Sequence, residues 1–139
     1  MPSLTRWFIK TALVYLVISL VLGVLVALGT SLQLPVAFAG LTPFYIQILM
    51  IGWLTQLIFG VAYWMFPVFS RETPRRSPVL GWAAYGLINA GLLLQLIVEL
   101  GSLVDGFPLS TWVTALAAVL QFAAALSFVV NSWGRIRGH

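Results

Sequence analysis

Residues 41–70 read LTPFYIQILMIGWLTQLIFGVAYWMFPVFS, with no Asp, Glu, Lys or Arg among them. Crossing about 30 Å of hydrocarbon at 1.5 Å per residue takes roughly 20 apolar residues, and this run is longer. Lipid offers backbone groups no hydrogen bonds, so such a run must satisfy its own and be a helix. Three further uncharged runs flank it. They lie between Lys10 and the Gly29-Thr30-Ser31 cluster, from Pro78 to Val98, and from Gly106 to Gly134. The pattern predicts helices near 7–30, 43–66, 79–100 and 110–133. The fold class is all-α: one polytopic membrane domain over residues 1–139, built as an antiparallel four-transmembrane-helix bundle.

Composition excludes the alternatives. Of the 139 residues 61% are hydrophobic and 7% charged, and mean hydropathy is +1.05. A soluble domain is roughly 45–50% apolar and about 25% charged. Three acidic and seven basic residues cannot cover a water-exposed surface of this size. A disordered chain would be poor in apolar residues, and a nucleic-acid binder would need a solvated basic face. The absence of cysteine removes disulfides, thiolate metal sites and thiol redox chemistry.

The connections carry the turn residues. Pro35 and Gly40 fall in the first, Pro74 and the densest charge in the second, and Asp105, Gly106 and Pro108 in the third. All are short, so sequential helices are expected to pack as antiparallel neighbours.

Arg6 and Lys10 precede the first apolar run, Arg71, Arg75 and Arg76 lie in the middle loop, and Arg135 and Arg137 follow the last run. Four spans put all seven on one side. The positive-inside rule then places both termini in the cytoplasm. The pI near 10.1 is thereby accounted for by topology. Arg6, Lys10 and Ala27-Leu28-Gly29 mimic a cleavable leader, yet the apolar stretch of about 18 residues exceeds the 7–15 of a signal core. Trp7, Tyr63, Trp64, Trp82, Tyr85, Trp112 and Trp133 fall near helix ends, as interfacial anchors would.

Polar groups at bilayer depth are the places to look for function, since each is costly unless satisfied. In the second run Gly52, Gln56, Gly60 and Tyr63 share one helical face, which Tyr45 extends. The small residues admit a neighbouring helix and Gln56 can hydrogen-bond across the contact. Helix packing is the first reading of this face; a polar wall of a ligand pocket is the second. The third run places Gly86 and Ala90 at a small-xxx-small spacing beside Asn89, with Gln95 and Glu99 one turn apart. Glu99 is the one acid inside an expected span, in its last turn, and reads as an interfacial carboxylate or a proton site. The fourth run carries Ala115, Ala117, Ala118 and Ala123 to Ala125 around Gln121, a close-packing surface. The one histidine is His139, the last residue. Imidazole, thiolate or thioether ligands for haem or copper are therefore nearly absent. No nucleophile–base set or phosphate-cradling loop exists either, so stand-alone catalysis is not expected.

The stretch Gly52-Trp53-Leu54-Thr55-Gln56-Leu57-Ile58-Phe59-Gly60-Val61-Ala62-Tyr63-Trp64-Met65-Phe66-Pro67 resembles small four-helix membrane proteins related to subunit I of haem-copper oxidases. The branch it looks most like is that of cbb3-type oxidase and nitric oxide reductase. The resemblance continues through Pro74-Arg75-Arg76-Ser77 and Leu87-Ile88-Asn89-Ala90-Gly91-Leu92, and covers roughly residues 5 to 95. It implies a histidine pair early in the second helix. Here Tyr45 and Gln47 stand at those places, so the scaffold is kept and the ligands are missing. The resemblance implies respiratory-chain ancestry, and the residues argue against electron transfer by this chain alone.

Three functions follow as expectations. The first is a non-catalytic accessory subunit, partnered by other membrane proteins in a respiratory or electron-transfer complex. The second is a haem- or quinone-binding membrane protein using Tyr45, Gln47, Gln56 and Tyr63. The third is a small oligomeric transporter or channel relying on Gln95 and Glu99. No cofactor is required by the first, and no metal site or nucleic-acid partner by any of the residues read.

Overall fold

A computed structural model of the chain describes residues 1–33, 41–102 and 111–136. Four helices account for nearly all of them: α1 (Ser3–Ser31), α2 (Thr42–Met65), α3 (Pro78–Ser102) and α4 (Thr111–Ile136). Each is long and apolar enough to cross a membrane, and no strand occurs among the described residues. The loop residues Pro35, Gly40, Asp105, Gly106 and Pro108, together with Arg137 and His139, lie outside the described residues.

Helix ends differ from the sequence expectation by up to about a turn. α1 starts at Ser3, its first turn closed by Arg6 N–H donating to the Pro2 carbonyl (3.2 Å). α4 continues to Ile136 because its last turn is not solvent-facing: Asn131, Ser132 and Arg135 are buried there. α3 begins as the sequence dictates, with Pro78 at its first position and Ser77 as cap. The Leu80 amide donates to Ser77 Oγ (3.3 Å). Proline loses no helical hydrogen bond at that position, and serine satisfies an orphan amide.

Contacts fix the helix directions. Gly23 of α1 lies against Tyr45, Gly52 against Tyr15 and Gly60 against Phe8. Residue numbers rise on one helix as they fall on the other, so α1 and α2 are antiparallel. The same holds for α3 and α4, where Gly91 meets Ala117 and Gln121 and the Ser77 amide donates to Asn131 Oδ1 (3.1 Å). The two hairpins then pack on each other. Thr11 Oγ1 and Tyr85 OH share a hydrogen bond of 2.8 Å. Phe8 meets Tyr85 edge-on with centroids 5.2 Å apart. Phe59 stacks on Phe128 at 3.9 Å. Glycine brings backbones together within each hairpin, and large side chains fill the space between hairpins. The buried centre includes Phe8, Phe44, Ile48, Ile88 and Leu92. Leu13, Val17, Leu20 and Val24 of α1 and Leu116, Val119, Phe122 and Leu126 of α4 point outward. Apolar residues outside and polar ones inside is the arrangement lipid selects.

α2 is not uniform. Thr42–Gln47 and Gln56–Met65 are α-helical, while Ile48–Thr55 is π-helix. The Thr55 hydroxyl reinforces the wide turns by donating to the Met50 carbonyl (2.8 Å). In an α-helix with 3.6 residues per turn, Gln47 and Gln56 would stand half a turn apart. The wider i→i+5 turns advance each residue by less, and both glutamines face α3.

Candidate functional site

Among the described residues, the amide side chains within the bundle gather into two hydrogen-bonded groups. Gln47 of α2 donates through Nε2 to Gln95 Oε1 of α3 (2.6 Å) and Gln121 Oε1 of α4 (3.0 Å). Gln95 Nε2 donates back to Gln47 Oε1, and Gln121 Nε2 donates to Gln95 Oε1 (3.2 Å). Three helices therefore share one amide triangle, with Gln95 buried and the other two half-buried. Further along α2, the fully buried Gln56 donates to Asn89 Oδ1 (3.2 Å). Asn89 Nδ2 returns to Gln56 Oε1 (3.4 Å) and also reaches the Tyr85 carbonyl (2.8 Å).

These groups distribute the expected site residues. Gln47 and Gln56 fall into separate networks. Tyr45 is half-buried with its ring against Gly23 of α1. Tyr63 sits at the far end of α2 beneath two guanidiniums. Glu99 is half-buried in the last turn of α3, at the end remote from the basic loop. Among the described residues, Tyr45, Gln47, Gln56 and Tyr63 do not join in one hydrogen-bonded group. Gln121, read from sequence as an incidental member of an alanine face, completes the triangle.

Helix packing divides as well. Gly52 and Gly60 are buried against α1 as expected. Gly86 and Ala90 are not a contact within this chain: both are exposed, and a Cβ at Gly86 would meet no atom within 4 Å. The close approaches on α3 are Gly81, against Leu4 and Tyr63, and Gly91, against α4. A 3.6-residue period identifies faces without saying which of them meets a partner. The aromatic anchors need a similar correction. Trp7, Trp64, Trp82, Trp112 and Trp133 are exposed as anchors should be. Tyr63 is 3% exposed and Tyr85 is half-buried, bonded to Thr11.

The described basic residues collect at one end of the bundle, where α1 and α3 begin and α2 and α4 finish. Arg6, Lys10 and Arg71 are exposed there. Arg135 is 3% exposed. Its Nε donates to the Pro67 carbonyl (3.1 Å) and its Nη2 to the Phe66 carbonyl (2.7 Å). Its guanidinium lies over the Tyr63 ring at 5.4 Å, and that of Arg75 over the same ring at 5.7 Å. Arg76 donates to the Val130 carbonyl (2.6 Å) from a left-handed backbone, φ 60°. None of this was visible in the spacing, because nothing in the sequence joins position 63 to position 135.

The places where the resemblance suggests histidines are occupied by side chains with partners inside the bundle. The Gln47 amide is consumed by Gln95 and Gln121, and the Tyr45 ring packs on Gly23. Among the described residues no three His, Cys, Asp or Glu side chains stand together as a metal site. Comparison with protein-family models, with curated proteins and with solved structures returned no match to this chain.

The triangle makes a stability prediction. Interhelical side-chain hydrogen bonds in membranes contribute about 0.6 kcal/mol on average and up to about 1.7. Gln95→Leu removes the bonds to both neighbours and is expected to cost about 1–2 kcal/mol. Replacing Gln47, Gln95 and Gln121 together by Leu removes the unpaired amides too, and should recover part of that loss. Unfolding by denaturing detergent checks both variants; a triple variant no more stable than Gln95→Leu contradicts the account.

Proposed function

We propose that this chain is a non-catalytic integral membrane subunit of a bacterial respiratory or electron-transfer complex, on a scaffold resembling oxidase subunit I without its haem ligands. The observation that carries the reading is the closed Gln47–Gln95–Gln121 triangle. The three glutamine amides are spent on one another and hold three helices in register, which is work for a scaffold. Gly86 and Ala90 add support from outside. They put a small-xxx-small face on the outer surface of α3, where a helix of another chain could approach closely. The charges fit an inner-membrane orientation with the basic end, and so both termini, in the cytoplasm.

Native mass spectrometry of the tagged protein, extracted from its own membranes in mild detergent, tests this reading. A heavy assembly containing oxidase or reductase chains is expected, with no haem or quinone mass on this subunit. A lone monomer, or a small homo-oligomer carrying haem or quinone, would overturn it.

A further inference from the structure

The basic end of the bundle forms an open cavity of about 390 Å³, lined among others by Tyr63, Arg75, Arg76, Ser3, Thr73 and Trp82. That volume falls within the range of small-molecule sites, roughly 300–1,000 Å³. Its electrostatics are unbalanced. Arg75 and Arg135 share the Tyr63 ring, and Arg76 reaches the Val130 carbonyl from the same corner. None of the three pairs with a carboxylate among the described residues. Glu72 also lines the cavity, but is exposed to solvent.

Two nitrogen atoms sharpen the point. Arg75 Nε and Arg135 Nη1 are buried and have no hydrogen-bond acceptor among the described residues. Buried polar groups are nearly always paired, and an unpaired one on a cation is especially costly. Arg135, at 3% exposure, cannot turn to water for the missing bond. Arg76 is moreover held in a left-handed conformation, a strained backbone state for a non-glycine residue that recurs at ligand clamps. Arg135 does not line the cavity and lends its charge from behind the wall, whereas Arg75 and Arg76 stand in the wall itself, where an anion with several acceptor oxygens would meet their guanidiniums. Guanidinium forks match phosphate oxygens in particular, and Ser3 adds a hydroxyl-bearing residue to the wall.

We propose that this cavity binds a phosphate-bearing anion, held by Arg75 with Arg76 and backed by the buried charge of Arg135. Its source is the headgroup of an anionic phospholipid or a free phosphate species. The exposed Trp82 at the wall suits the first, since tryptophan sits at headgroup level and basic pockets between membrane helices bind such headgroups.

The test uses the full-length protein in mild detergent, with phosphatidylglycerol, phosphatidylcholine or inorganic phosphate added, read by native mass spectrometry and by thermal unfolding. Retention of phosphatidylglycerol over phosphatidylcholine is expected to be about tenfold, falling to parity in Arg75→Gln. Among the described residues Arg75 donates no hydrogen bond and loses only its place over the Tyr63 ring, so that variant should still fold, and its unfolding without added lipid sets the baseline for the lipid response. Ser3→Glu, which puts a carboxylate into the cavity wall, provides a second route to the same loss. Arg71→Gln, an exposed charge of the same loop outside the cavity, should retain the preference. Stabilisation by inorganic phosphate, lost in the same two variants, would assign the site to free phosphate; a response to phosphatidylglycerol alone would assign it to lipid. Equal retention of the two lipids together with no response to phosphate overturns the proposal. So does a preference that survives both Arg75→Gln and Ser3→Glu.

Discussion

Gly60→Ala is expected to destabilise the bundle by about 1–3 kcal/mol, the cost of overpacking a close contact. Gly86→Ala should leave it within about 1 kcal/mol of wild type, on the stabilising side. Both substitutions add one methyl group to a membrane-spanning helix, so the contrast isolates packing. A Cβ at Gly60 would lie 2.7 Å from Phe8 Cβ and 3.4 Å from the Thr5 carbonyl oxygen. Phe8 Cβ is fixed to the α1 backbone and cannot swing aside, so α1 and α2 must separate. Phe8 is fully buried, and its ring also touches Phe59 and Tyr85; a shift there disturbs the joint between the two hairpins. At Gly86 the added methyl group meets nothing within 4 Å, and alanine is the better helix former. Thermal unfolding in detergent reads both. Equal destabilisation would show that α1 and α2 do not meet at Gly60 as described. If Gly86→Ala is harmless in detergent yet weakens a native assembly, the outward small face is where a partner helix rests.

Four spans, their approximate ends and the buried face of α2 could be read from the chain because lipid leaves few choices. An uncharged run that long must be helical, and Gly52, Gln56, Gly60 and Tyr63 lie on one side at any helical pitch near 3.6 residues. The pairing of those faces could not be read. Gly86 with Ala90 and Gly81 with Gly91 are equally plausible as small-residue contacts, and only the tertiary arrangement turns the second pair inward. Gln47 shows a different limit. Its meeting with Gln95 and Gln121 depends on the π-helical stretch Ile48–Thr55, and no residue in ILMIGWLT announces widened turns. At the basic end, counting charges yields a topology and nothing more. Arg71 and Arg135 look alike in such a count, yet one is exposed and the other is 3% exposed.

That difference predicts the second large effect. Arg135→Ala is expected to cost about 3 kcal/mol, whereas Arg71→Ala should stay within about 0.5 kcal/mol of wild type. Hydrogen bonds from charged groups contribute about 1.5–3 kcal/mol each, and Arg135 makes two, to the carbonyls of Phe66 and Pro67. Those carbonyls lie where α2 has just ended and Phe66 has turned to extended backbone, so no helical amide follows to take them. A buried guanidinium from α4 supplies the missing donors and ties the end of α2 to α4. Its stacking over Tyr63 and Phe66 adds about 0.5–2 kcal/mol more where water is excluded. Arg135→Lys keeps the charge and loses the fork, so it should recover less than half of the deficit. A residue serving orientation alone would tolerate lysine fully. Hydrogen exchange locates the damage: the Phe69 amide, bonded to the Pro74 carbonyl, and the Arg76 amide, bonded to Thr73, should exchange faster in Arg135→Ala. The Gln47–Gln95–Gln121 end of the bundle, several turns away, should be unchanged. A lysine variant as stable as wild type would reduce Arg135 to a topological charge and leave the α2–α4 tie without its cause.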